Sequence, residues 1–233
     1  MISRRAKPKP TFVNQGVKKK KHMRWVLALF FLFAGYVIFF YTNDYIVNKS
    51  QRELEQVEEN YGREVDSLCK KLDLPSSYMK ALIMLECSGD KPVDARFEEH
   101  VFARLQQVRD GKKKKLENLK TKHLRGMSDE ALKNLARSWG PFQVMGYKSV
   151  QMKITIQDLR GEKAVYWGIK WINKDYGKLL RKKKYKDAFH FHNTGRHFPS
   201  DGESLTHDPQ YVTRGLKYME YFDNLKEKQS VEK

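Results

Sequence analysis

The stretch from Trp25 to Tyr41, WVLALFFLFAGYVIFFY, holds 17 residues without a charge, and no other part of the chain limits its folding so sharply. It is apolar all round and sits at the short end of the ~20 residues that carry a helix across a bilayer. KKKKHMR lies directly before it, and Met1 to Arg24 contains nine Lys/Arg and no Asp/Glu. Basic residues mark the cytoplasmic flank of a span, so residues 1–24 read as a cytoplasmic tail and the chain beyond Thr42 as exported. The run ends FFYTND, with no small-residue cleavage pattern, and exceeds the ~7–15 apolar residues of a removable signal peptide. The expectation is an uncleaved signal anchor at 25–41 in the inner membrane, with a periplasmic or otherwise extracytoplasmic domain behind it.

That topology divides the charge. The net +18 at pH 7 splits evenly between the first 24 residues and the rest, which has 37 Lys/Arg against 28 Asp/Glu. The tail serves as a topology signal and touches anionic headgroups. In the exported part, Lys112 to Lys115 and Arg181 to Lys186 form basic runs. These suit either a solvated face or a polyanionic partner, whether cell-wall polymer, nucleic acid or membrane. The two cysteines, Cys69 and Cys87, would both be exported, where disulfides are permitted. If helices on either side of Pro75 form a hairpin, the two differ by roughly 9 Å along the axis at 1.5 Å per residue, so free thiols are expected.

Beyond the anchor the apolar spacing is helical. Leu54, Val57, Tyr61, Val65, Leu68 and Leu72 recur at three- and four-residue intervals, giving a membrane-proximal amphipathic helix within 42–73 whose one soft point is Gly62. Pro75 and Ser76 start the next helix, and Gly89 stops it. Further helices are expected over Phe97–Val108, Asp129–Arg137 (capped by Ser128), Lys163–Lys182, Lys186–His192 and Tyr211–Leu225. Lys112 to Gly126 reads as a mobile excursion or a poorly buried helix, and 196–208 as loop. No strand longer than a few residues is apparent. The fold class is therefore mainly α, with one helical domain over 74–225 and a polar tail over 226–233.

Three stretches carry residues that local structure does not require. In MKALIMLECSG, Met79, Leu82, Ile83 and Glu86 fall at i, i+3, i+4 and i+7, so an apolar helical face ends in a carboxylate. A carboxylate so placed either finds a cation or stays protonated with a raised pKa, as a general acid requires. In SWGPFQVMG two glycines permit close backbone approach, and Gln143 offers both donor and acceptor. In HFHNTG, Asn193 and Gly195 end a helix in a tight turn. Each also reads as helix punctuation. His190, His192, His197 and His207 are close in sequence but match no metal-ligand spacing, so neither metal nor cofactor is expected.

In order and identity these motifs resemble the lysozyme-like superfamily. Glu-x-Ser-Gly, G-x-x-Q-V-M and Asn-x-Gly look like motifs of soluble lytic transglycosylases and goose-type lysozymes. RFEEHVFARL with LARSWGPFQVMG is more similar still to the bacterial and phage N-acetylmuramidase family. The likeness covers about Leu74 to Phe222 and implies a lysozyme-like helical domain that cleaves the β-1,4 bond between N-acetylmuramic acid and N-acetylglucosamine. It implies Glu86 as catalytic acid and Glu98 as second carboxylate. Gly140, Phe142, Gln143 and Met145 would line the cleft, Gln143 binding an N-acetylated sugar. Ser88 keeps a motif position after Cys87, which replaces the usual serine. Asn193 and Gly195 would shape the opposite wall, behind His192, where a tyrosine is usual. The basic segment 112–125 has no counterpart role.

Two chemistries stay open. Hydrolysis ordinarily uses two acids ~5–5.5 or ~6.5–9.5 Å apart, whereas a lytic transglycosylase, as the resemblance implies, uses one glutamate and the muramic acid 6-hydroxyl. The partners expected are peptidoglycan strands and, through anchor and tail, membrane lipids; nucleic acid is not expected. The alternative is a non-catalytic, membrane-anchored protein that grips cell wall or nucleic acid through its basic runs.

Overall fold

The computed structural model describes the backbone of residues 16–231 and the side chains of residues 29–39, 41–42 and 47–230. The basic tail and the first four residues of the expected anchor lie outside the described side chains. The chain forms two compact units, residues 1–50 and 51–233.

In the first unit a helix, α1 (Gly16–Val57), carries the apolar run. Most of the run's described apolar side chains face outward, Phe31 being 69% and Leu32 71% exposed. Among the described residues, no helix is long and apolar enough to cross a membrane.

The second unit is mainly helical. The α1 end continues through a π-helical turn (Glu58–Gly62) into α2 (Arg63–Leu72). Leu54, Val57, Tyr61, Val65 and Cys69 from this stretch are buried in the main core. The irregular turn sits at Gly62, where a Cβ would come 2.4 Å from Glu58 Oε1. Glu58 then reaches the Lys80 ammonium at 2.8 Å, and Asp66 reaches it at 3.0 Å. Lys80 is itself buried, so both partners matter: removing either would leave a desolvated charge.

Helix α3 (Ser76–Cys87) is buried on every side from Ser76 to Met84. Its C-cap is Ser88 at φ +51°, so the left-handed stop expected of Gly89 is shared by two residues. Both cysteines are free, as their predicted separation requires. Burial pushes both thiols up to about 12.

A second core is built on α4 (Glu99–Arg109), from Val101, Leu105 and Val108. Here the structure departs from periodicity. Arg96–Phe97 is a strand, β1, and the helix begins only after an extended Glu98. The basic segment is neither mobile excursion nor exposed helix. It forms a hairpin, β2 (Lys115–Leu116) with β3 (Leu119–Lys120), followed by a short α5 (Thr121–Leu124). Leu116, Leu119 and Leu124 are buried against α4, while Lys112 to Lys115 stay exposed. Three leucines at uneven spacing are enough to fix a hairpin, although no helical or alternating period reveals them.

After α6 (Asp129–Leu135), capped by the Ser128 hydroxyl, SWGPFQVMG forms a hairpin of β4 (Arg137–Trp139) and β5 (Val144–Met145). It joins β1 in an antiparallel sheet of order β1-β4-β5. Gly140 at φ +70° and Gln143 at φ +44° make the turn. Short helices α7 (Lys148–Met152) and α8 (Ile156–Arg160) lead to α9 (Ala164–Arg181), α10 (Tyr185–Thr194) and α11 (Tyr211–Val231). Helix α11 packs chiefly on α3 and runs past the expected end at Leu225.

Candidate active site

Because α3 is enclosed until its last turn, Glu86 emerges where the helix leaves the core, with its side chain 17% exposed. Tyr211, the first residue of α11, donates its hydroxyl proton to Glu86 Oε1. Burial raises the Glu86 pKa to about 7, against the opposing pull of the Tyr211 hydrogen bond and the Arg96 charge. This is an acid tuned by desolvation, still substantially protonated at neutral pH.

His192, near the end of α10, places Nε2 3.6 Å from the same carboxylate oxygen. That distance suits an ion pair, but burial lowers the imidazole pKa to about 4, the Phe142 backbone opposing. At neutral pH the ring is uncharged and forms no salt bridge. Its Nδ1 lies 2.7 Å from the buried Tyr176 hydroxyl. Glu86 thus faces a phenol and a neutral imidazole, with no cation in direct contact among the described residues.

Beside this group runs a cavity of about 810 Å³. One wall comes from Arg96, Glu98 and Arg104, another from Gln143 and Met145 on the hairpin, a third from His192, Asn193 and Gly195. Glu98 Oε1 accepts from Arg96 Nε at 3.0 Å, and Arg96 also acts on Glu86 through its charge. One guanidinium therefore links the two glutamates electrostatically. With its side chain 78% exposed, its ion pair adds little stability.

Glu98, Gln143, Met145, Asn193 and Gly195 all line this cavity, but Gln143 is less free than expected. Its Oε1 accepts from Ser138 Oγ at 2.6 Å, and its Nε2 donates to Gly140 O at 3.2 Å and Asp94 O at 3.3 Å. The amide braces the turn that carries it. Glu86 adjoins it only through His192, and three expected cleft residues do not line it. Phe142 is fully buried, pressed on Gly168, where a Cβ would come 2.3 Å from its ring. Gly140 packs on the Leu159 carbonyl, which would lie 2.4 Å from a Cβ. Ser88 serves as the α3 cap. In each case the residue supports the backbone beneath the site.

Sequence reading missed Arg96, His192 and Tyr211 as functional groups. For His192 a signal existed in its place beside the Asn turn. Tyr211 had none, being 125 positions from Glu86. Also missed was the far wall, where Glu117 Oε1 accepts from Tyr147 at 2.6 Å and Oε2 meets Lys148 at 2.6 Å. Among the described residues no three His, Cys, Asp or Glu side chains converge as metal ligands would. Comparison with protein-family models, curated proteins and solved structures returned no match.

Proposed function

We propose that the protein is a membrane-anchored, lysozyme-like glycosidase that cleaves the β-1,4 bond between N-acetylmuramic acid and N-acetylglucosamine in peptidoglycan. The observation that carries this reading is Glu86: a carboxyl group raised to about 7 by burial, beside His192, which lines a cavity of about 810 Å³. An acid poised there can give its proton to a glycosidic oxygen at neutral pH. The exposed apolar residues of α1 and the basic tail before them supply the anchor, and the enclosed unit works on wall outside the membrane.

In the proposed step Glu86 protonates the leaving oxygen as the bond from the anomeric carbon breaks. The muramic acid 6-hydroxyl then attacks that carbon and returns its proton to Glu86, closing an anhydro sugar. Hydrolysis would instead need a second carboxylate to activate water. Glu98 lines the cavity and is paired with Arg96, and the route through the 6-hydroxyl, which needs Glu86 alone, is the one proposed. Tyr211 orients the carboxylate, and neutral His192 keeps its surroundings uncharged.

A gel containing purified cell wall tests the activity: the wild type clears it and Glu86→Gln, still folded by circular dichroism, does not. Clearing by the variant at the wild-type rate would overturn the assignment. Mass spectrometry of the released ends separates the routes, anhydro ends marking transglycosylation and reducing ends hydrolysis. Retention on wall with no clearing by the wild type would favour the non-catalytic binder.

A further inference from the structure

Beyond Trp171 the cleft continues into a second cavity of about 420 Å³, the two sharing Trp171 and Asp175 in their linings. The outer wall of this cavity is the basic segment, through Asn118 and His123; Lys153, which caps α7, and Lys174 on α9 add to the lining. The Trp171 ring makes an edge contact with His192, the centroids 5.5 Å apart. The second cavity is therefore joined to the surroundings of Glu86 through two side chains.

Its charges are unspent. Lys148, beside Trp171, is neutralised by Glu117, whereas Lys153 and Lys174 have no ion pair among the described residues. Lys174 and Asp175 follow Trp171 at i+3 and i+4, on one face of α9. His123 accepts the Lys120 N–H at Nδ1, at 3.0 Å, which leaves an Nε2 proton to donate. The cavity offers two ammonium groups and an imidazole donor for carboxylates, one carboxylate for an amine, and an indole edge.

We infer that this cavity binds an acidic peptide bearing a free amine, namely the stem peptide carried by muramic acid, so that peptide-bearing strands are cleaved in preference to denuded ones. The inference rests on the proposed function. A stem of three or four extended residues spans roughly 10–14 Å, enough to lead from a sugar in the first cavity into the second. The hairpin that the sequence left without a role becomes the outer wall of a specificity site.

The test uses the full-length protein in detergent and two substrates, intact glycan strands and strands stripped of peptide by an amidase. The wild type is expected to show a lower KM for intact strands. Lys153→Gln combined with Lys174→Gln, both exposed and checked for folding by a thermal melt, should reduce that preference by roughly 10-fold, as for lost charge-assisted contacts. No preference in the wild type, or an unchanged preference in the double variant, would overturn the inference. If the wild type cleaves neither substrate, the proposed function fails instead. Calorimetry with isolated stem peptide then decides: binding that the double variant loses sustains the site, and no binding ends it.

Discussion

Glu86 and Glu117 are two glutamates beside one cleft with opposite acidities. Burial pushes on both. At Glu86 it prevails, because Tyr211 offers only a neutral hydroxyl and Arg96 acts without a direct bond, and the pKa rises to about 7. At Glu117 burial is outweighed by bonds from Lys148, Tyr147 and Gln151, and the carboxyl is held below its ordinary value. A cation in direct contact, together with shallower burial, separates the structural carboxylate from the one free to exchange a proton.

The largest break in this contrast is Glu86→Gln, which removes the exchangeable proton while keeping the shape. Cleavage should fall at least ~10³-fold, in the upper range for a general acid, in a turnover assay on soluble strands. The second effect is on stability. Glu86 binds its proton more tightly folded than unfolded, so its ionisation costs stability as pH rises from 4.5 to about 7. His192 acts in reverse: its folded pKa of about 4 lies below 6.5, so stability grows as pH rises between them. Comparing Glu86→Gln with wild type cancels the histidine. By linkage the variant should gain about 3 kcal/mol relative to wild type across pH 4.5 to 7, read from urea unfolding. A flat difference would show that Glu86 titrates normally.

Lys148→Met should make Glu117 resemble Glu86. Because the Glu117 side chain is 41% exposed, solvent screens much of the loss, and about 1 kcal/mol of destabilisation is expected in the same unfolding assay. Glu117→Gln added to it should recover part. The smallest effect sharpens the contrast from the other side. Tyr211→Phe removes a bond that lowers the Glu86 pKa, so the alkaline limb of the activity profile should move to higher pH. Movement to lower pH would refute that role for the phenol.

Much of this was legible in the chain. Amphipathic spacing located α3, α9 and the start of α11, and the placement of Glu86 at the end of an apolar face left a cationic partner and a raised pKa as its two outcomes. The small sheet was not legible, because two- and three-residue strands are too short to show alternation. Phe142 reads as a cleft aromatic from its neighbours in sequence, yet it lies in the core because α9 brings Gly168 against its ring. Tyr211 and Arg96 act at a distance no local pattern encodes.

The bond from Tyr211 to Glu86 also bears on the order in which the protein becomes complete. The two residues are 125 positions apart, and α11, which carries the tyrosine, is made after every other described element. A chain still emerging, or one cut before α11, lacks both the phenol and the helix that buries α3, so its Glu86 meets water and ionises like any exposed glutamate. Glu86 becomes an acid fit for neutral pH only once α11 has packed on α3. Under the proposed function, an immature copy would have little power to cut whatever polymer it first meets.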